Sequence, residues 1–190
     1  MPVSARRAVI ALGSNLGDTR GTLRAAVADL AATPGVTVVQ VAPVHETIAV
    51  SLDGLDRDRP RFANTVVLVD TTLDPVPLLD ALQAIEQQHR RRRDRRWGDR
   101  TLDLDIVDIP GVVLDTPRLV VPHPRAAERD FVLVPWLEAD PAATLGGVPL
   151  RRLLDALPDA ARTLAVSAGS AGAAALADPA SPAADRETGR

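Results

Sequence analysis

Arg95-Arg96-Trp97-Gly98-Asp99-Arg100-Thr101-Leu102-Asp103-Leu104-Asp105-Ile106 joins a block of fixed positive charge to two carboxylates placed two residues apart. If residues 101–108 form a strand, Leu102, Leu104 and Ile106 point into a core, while Thr101, Asp103 and Asp105 share the opposite face. The two aspartates then stand roughly 6–7 Å apart, from a rise of about 3.3 Å per residue. Carboxylates at that spacing converge on one divalent cation, or share a pair of cations about 3.5–4 Å apart as in two-metal phosphoryl chemistry. The competing reading is an edge strand whose polar face is solvated. Seven arginines and Trp97 between residues 90 and 100 favour a site for a metal and a polyphosphate.

The elements before this strand define its setting. Residues 8–12 form an apolar run that ends at Gly13 and predicts a buried strand. With Asp18 or Thr19 as N-cap, Leu23, Val27, Leu30 and Ala31 recur at helical spacing until Pro34-Gly35 stops them. The valine-rich residues 36–47 predict a second strand, the charged residues 51–61 a mobile loop, and residues 64–72 a third strand. Asp74-Pro75 then opens a helix that Leu78, Leu79, Leu82 and Ile85 carry to about Gln88. With residues 101–108 as the fourth strand, the order is β-α-β-β-α-β. This is the α+β, ferredoxin-like sandwich, with two helices on one face of an antiparallel sheet and function on the open face or in the loops.

C-terminal additions follow: short strands at 112–114 and 118–121, a turn at Pro122-His123-Pro124, a strand at 131–137 and a helix at 150–157. Residues 1–166 read as one domain. Residues 167–190, made of Ala, Ser, Gly, Pro and scattered charge, predict a disordered tail.

Composition narrows the chemistry. The 190 residues, 46% hydrophobic, suffice for a substantial core, and a net charge of −3 means that basic charge matters locally or not at all. The absence of cysteine excludes disulfides, thiolate metal sites and a cysteine nucleophile. No apolar run approaches the roughly 18 residues of a membrane span, so a soluble, cytoplasmic protein with no membrane partner is expected. All 22 basic residues are arginine. That rules out a Walker A lysine, a protein-kinase strand lysine and a Schiff base, so any nucleoside triphosphate must be handled by arginine and metal.

Weaker signals lie around this centre. Gly13-Ser14-Asn15-Leu16-Gly17-Asp18 fits a tight turn with an Asp cap better than a phosphate loop. His123, held between prolines, can donate to a phosphate or act as a base, although a lone loop histidine is more often structural. Gln83 and Glu86 share one side of the second helix near its end, facing the arginine run, where an ordinary salt bridge is the plain alternative. Phe62-Ala63-Asn64 sets a flat apolar face beside an amide that donates and accepts, which suits a planar heterocycle, and Phe131 opens the late strand.

Taken in order, Ala11-Leu12-Gly13-Ser14-Asn15-Leu16-Gly17-Asp18, Phe62-Ala63-Asn64, Ile85-Glu86, Arg96-Trp97-Gly98, Arg100-Thr101-Leu102-Asp103-Leu104-Asp105-Ile106, Val121-Pro122-His123-Pro124-Arg125, Arg129 and Phe131-Val132-Leu133 resemble one family. It is that of the 6-hydroxymethyl-7,8-dihydropterin pyrophosphokinases, which move pyrophosphate from ATP to the pterin hydroxymethyl group in folate synthesis and release AMP. The resemblance covers roughly residues 8–141. It implies that Asp103 and Asp105 hold two Mg²⁺ ions bridging the ATP phosphates. It places Arg92, Arg96, Trp97, Arg118, His123 and Arg129 in the nucleotide site, with Gln83 and Glu86 near it. Arg100, and Arg90 on a mobile loop, would stabilise transition-state charge, with ordered binding and loop closure excluding water. Phe62 and Phe131 would sandwich the pterin, while Asn64 and the chain near Thr47 read its polar edge.

The implied partners are ATP and the hydroxymethyl pterin, with no nucleic acid, and the implied state is a monomer. The chain departs from the family pattern at Asp99, where proline is usual, at His89, and at Ile48-Ala49-Val50. Two rival readings keep the fold: a non-catalytic RNA- or nucleotide-binding module, and a two-metal nuclease. The first needs paired aromatics on the strands, and the second needs further carboxylates beside Asp103 and Asp105.

Overall fold

A computed structural model describes residues 4–51, 54–56, 60–89, 101–159 and 162–163. Strand β1 (Arg6–Ser14) leads to α1 (Thr19–Ala32), β2 (Val36–Val41) and β3 (His45–Thr47). A ribbon of β4 (Ala49–Ser51) and β5 (Gly54–Asp56) precedes β6 (Phe62–Thr71), α2 (Pro75–His89) and β7 (Asp103–Asp108). The main sheet is antiparallel in the order β2-β6-β1-β7, with β3 also on β6, and this is the expected β-α-β-β-α-β arrangement. Asp18 caps α1 by accepting from the Gly21 N–H at 2.9 Å, and the Asp74 carbonyl accepts from the Leu78 N–H as α2 begins.

Alternation along the strands sends one set of side chains to each face. Ile10 and Leu12 of β1, Val67 and Val69 of β6, and Leu104 and Ile106 of β7 pack with Leu23 and Leu30 of α1 and Leu78, Leu82 and Ile85 of α2. Leu102, at 0% exposure, joins this core as its spacing predicts.

The opposite face is not open. After β8 (Leu114–Asp115), β9 (Val120–Val121) and a 3₁₀ turn (Ala126–Glu128), the chain forms α3 (Asp130–Ala139), β10 (Thr144–Leu145), β11 (Val148–Pro149) and α4 (Leu150–Asp155). Val132, Leu133 and Trp136 of α3 and Leu150 of α4 bury Val9, Val66, Leu68 and Val107 of the sheet. The chain is thus layered helix, sheet, helix over this half.

Several expectations change. Residues 131–137, predicted as a strand, lie in α3. Their buried positions 132, 133, 135 and 136 follow the helical period, but the run is so uniformly apolar that it shows no phase, and Pro135 inside it argues against a helix. The single strand expected over 36–47 is two, because Pro43 lacks an N–H and the Thr65 hydroxyl takes the Ala42 carbonyl at 2.8 Å. The predicted loop at 51–61 contains β5, which pairs with β4 at its entrance, since ladder bonds come from the backbone and a charged sequence does not forbid them. The late strands are shorter than expected, β8 pairing with β9, and α4 ends at Asp155. The tail at 167–190 and the domain limit at 166 lie outside the described residues.

Candidate active site

Directly opposed residues of antiparallel strands share a face, so the register assembles the site. One row runs His45, Asn64, Gly13, Asp103 across β3, β6, β1 and β7, and the next runs Val66, Ala11, Asp105. Asp103 and Asp105 therefore stand on the face opposite the α1/α2 core, both partly exposed, with Leu104 buried between them. The small residues Gly13 and Ala11 form the floor between the aspartates and Asn64. At Gly13 the floor is very low: a Cβ there would lie 2.9 Å from the Asn64 Oδ1. The Asn64 amide occupies the space that Gly13 leaves and donates through Nδ2 to the Thr47 hydroxyl at 2.7 Å in a buried contact. Phe62, paired with Thr47, continues the row on β6.

The opposite wall comes from the chain between β9 and α3. The His123 N–H donates to the Val107 carbonyl at 2.8 Å, hooking the Pro122-His123-Pro124 turn, which follows a cis Val121-Pro122 bond, to β7. His123 Nδ1 accepts the Arg125 N–H at 3.1 Å. Burial pushes the imidazole below its ordinary 6.5, and Arg129 and Arg125 act in the same direction while Asp105 opposes them. Because Nδ1 accepts the Arg125 N–H, a neutral ring carries its proton on Nε2 and is a hydrogen-bond donor there. Arg129 is half-buried. Its Nη1 lies 3.9 Å from the Asp105 Oδ2 and its Cζ 5.5 Å from the centroid of the Phe131 ring. Burial lowers its pKa, while Asp105 and Asp103 help to hold the charge.

Glu86 is buried near the end of α2, and its Oε1 accepts the Leu104 N–H at 2.8 Å. It braces the backbone between the two aspartates, a role that the sequence reading, which set it facing the arginine run, does not contain. Gln83 is exposed on α2, and Arg118 Nη2 pairs with the Asp80 carboxylate of that helix. His89, at the end of α2, pairs with Asp29 of α1 at 2.7 Å. Arg90, Arg92, Arg96, Trp97 and Arg100, together with Asp99, lie outside the described residues.

Two contributions have no local sequence signal: His45, whose Nε2 lies 2.6 Å from the Glu138 Oε2 of α3, and Ser14, whose hydroxyl donates to the Thr101 carbonyl at 2.6 Å just before β7. Phe62 is the one aromatic side chain on a strand among the described residues, and α3 and α4 cover much of the face on which a base-stacking RNA module would work. No group of three or more metal-ligating side chains occurs among the described residues, which disfavours a nuclease-type carboxylate cluster there. Among the same residues, no helix is long and apolar enough to cross a membrane.

This chain is similar to known pterin pyrophosphokinases. The family model for 7,8-dihydro-6-hydroxymethylpterin-pyrophosphokinase (HPPK) matches residues 9–141. The 2-amino-4-hydroxy-6-hydroxymethyldihydropteridine pyrophosphokinase of Pseudomonas aeruginosa is 44% identical over 154 residues, which is 80% of this chain and 93% of that enzyme. The enzyme of the same name from Bacillus subtilis is 45% identical over 131 residues, covering 69% of this chain and 76% of the relative. Among solved structures, the wild-type Plasmodium falciparum HPPK-DHPS with pteroate shares the fold at a TM-score of 0.63 and 13% identity. That match covers 80% of this chain and 42% of the longer Plasmodium chain. With a family model matching residues 9–141 and relatives 44% and 45% identical, this chain belongs to the 7,8-dihydro-6-hydroxymethylpterin-pyrophosphokinase family.

Proposed function

We propose that this chain transfers pyrophosphate from ATP to 6-hydroxymethyl-7,8-dihydropterin, giving the pterin diphosphate and AMP, a step of folate biosynthesis. The observation that carries the reading is the sheet row in which Asn64 and Asp103 flank a side-chain-free Gly13 on one face. One end of this row suits the polar edge of a planar heterocycle, and the other suits a cation carrying a polyphosphate.

Asp103 and Asp105 fit Mg²⁺. They are hard oxygen donors, partly exposed, on one strand face, and Mg²⁺ is commonly held by one or two carboxylates together with substrate phosphates. We assign them two such ions, which when bound would neutralise and orient the phosphate oxygens. The chain's own groups do the rest. Arg129 brings a cation beside Asp105, and His123, whose Nδ1 already accepts the Arg125 N–H, offers Nε2–H as a donor to a phosphate oxygen. Phe131 and Phe62 supply the apolar faces for the pterin ring, and Asn64 and the chain at Thr47 supply its hydrogen bonds. In the reaction the pterin hydroxymethyl oxygen bonds to the β-phosphorus, the bond from that phosphorus to the α,β-bridging oxygen breaks, and the hydroxyl proton is released. Arg92, Arg96, Trp97 and Arg118 complete the nucleotide site in this reading, and Arg90 and Arg100 stabilise transition-state charge. The protein works as a cytoplasmic monomer.

AMP release from ATP, with and without the hydroxymethyl pterin and with and without Mg²⁺, tests the proposal. Turnover is expected only when all three are present. Turnover in EDTA, or AMP formation independent of the pterin, would refute it.

A further inference from the structure

Thr163 is 3% exposed although it lies beyond α4, eight residues after the last helical position. Its backbone N–H donates to the Asp130 Oδ2 at 2.7 Å, and its hydroxyl donates to the Asp130 Oδ1. Its carbonyl accepts the Ile48 N–H at 2.8 Å. One residue thus joins two distant segments. Ile48 follows Thr47, whose hydroxyl receives the Asn64 amide. Asp130, itself 2% exposed, stands between Arg129 and Phe131 in the first turn of α3.

These two segments are the opposing walls of the pterin site proposed above. The wall that carries Phe62, Asn64 and Thr47 rides on β6 and β3, and the Phe131 wall rides on the start of α3. Their separation decides whether a flat ring fits between them. We infer that Thr163 is a positioning residue that clips the Thr47 wall to the Phe131 wall and so sets the width of the pterin slot. The inference rests on the assignment of that slot. A purely structural anchor for the segment after α4 needs neither the carbonyl bond at Ile48 nor the two-point grip on Asp130, and a tether to one wall would serve it. Because an aromatic slot depends on van der Waals contact, a shift of several tenths of an ångström weakens its hold on a planar ring. The aspartate pair on β7 does not sit on either clipped segment.

The test is steady-state kinetics of the full chain with each substrate varied in turn. Thr163→Val keeps the shape and removes the hydroxyl. It is expected to raise the KM for the pterin roughly fivefold, the effect of one buried hydrogen bond, with the KM for ATP and kcat unchanged. Thr163→Ser, which restores the hydroxyl, is expected to return the pterin KM to its original value. Asn64→Ala and Phe131→Ala are run in parallel as controls on the slot itself. If both raise the pterin KM and Thr163→Val does not, the clip is overturned while the slot stands. If neither control moves it, the slot assignment fails and takes the inference with it. Equal changes in both KM values overturn the clip as well, since they mark a general loss of folded enzyme. Should Thr163→Val not fold, Asp130→Asn carries the same test, a selective rise in pterin KM supporting the clip and its absence overturning it.

Discussion

The two faces of the sheet are built from the same strands and have opposite purposes. Toward α1 and α2, β1, β6 and β7 present Ile10, Leu12, Val67, Val69, Leu104 and Ile106, and every one is buried. Toward α3 they present Val9, Val66, Leu68 and Val107 along one half, which is sealed, and Asn64, Gly13, Ala11, Asp103 and Asp105 along the other, where polar and small residues replace bulk. A site built this way stands on a packed floor. Neighbouring residues of one strand then differ completely in what they contribute, and substitution separates them.

The largest contrast is expected on β7. Asp103→Ala and Asp105→Ala each lower AMP formation by on the order of a thousandfold, as loss of transition-state charge stabilisation does, while the thermal midpoint stays nearly constant because both side chains are partly exposed. Leu104→Ala, between them, removes a core side chain that is 3% exposed. It is expected to cost about 2–5 kcal/mol of stability by urea denaturation. If an aspartate variant unfolds and the leucine variant does not, the division of labour between the faces is wrong.

A smaller effect is expected at the support beneath the strand. Glu86→Gln weakens the acceptor for the Leu104 N–H inside the protein. A loss of about 1–3 kcal/mol in the same denaturation experiment is expected. Unchanged stability would show that this contact does not brace β7.

Gly13→Ala probes the floor itself. The new Cβ collides with the Asn64 Oδ1 at 2.9 Å, so the amide must swing away from Thr47. A rise of roughly tenfold in pterin KM is expected, of the order that 1–3 kcal/mol of overpacking produces, with the KM for ATP unaffected. A matched rise in both constants would place the disturbance in the fold rather than the slot.

The smallest expected effect is a pH dependence at the far end of β7. Burial holds the Asp108 carboxyl above its ordinary 3.8, partly offset by the Ile109 N–H. In the window above 3.8 the folded chain therefore holds the proton more often than the unfolded chain does, and stability falls as pH rises through that window. Asp108→Asn is expected to flatten this dependence and to raise stability at neutral pH, read from melting curves between pH 4 and 8.

What could be read from the chain follows from the range of each interaction. The alternation of Leu102, Asp103, Leu104, Asp105 and Ile106 is local, and it places both carboxylates on the correct face before any tertiary contact is considered. The α1 cap at Asp18 and the α2 start at Asp74-Pro75 are local too. Residues 131–137 failed because an all-apolar run buried on several sides carries no period to distinguish helix from strand. The mistake had a consequence for the site: with 131–137 as a strand, the second face of the sheet stayed open, and Phe131 lost its position at the start of a helix over that face. The bracing role of Glu86 and the contacts of Thr163 were invisible for a different reason. Their partners, Leu104, Asp130 and Ile48, are distant in sequence, and hydrogen bonds to backbone groups leave no mark on side-chain pattern.

Arg129 carries a thermodynamic obligation. One guanidinium lies within 3.9 Å of the carboxylate assigned to the metal and within 5.5 Å of the aromatic ring assigned to the heterocycle. Any displacement of that cation by one ligand is felt by the other, and linkage requires the influence to be mutual: the factor by which nucleotide changes pterin affinity equals the factor by which pterin changes nucleotide affinity. If both substrates bind as proposed, each reports on the other through this side chain, and their order of arrival at equilibrium makes no difference to that factor.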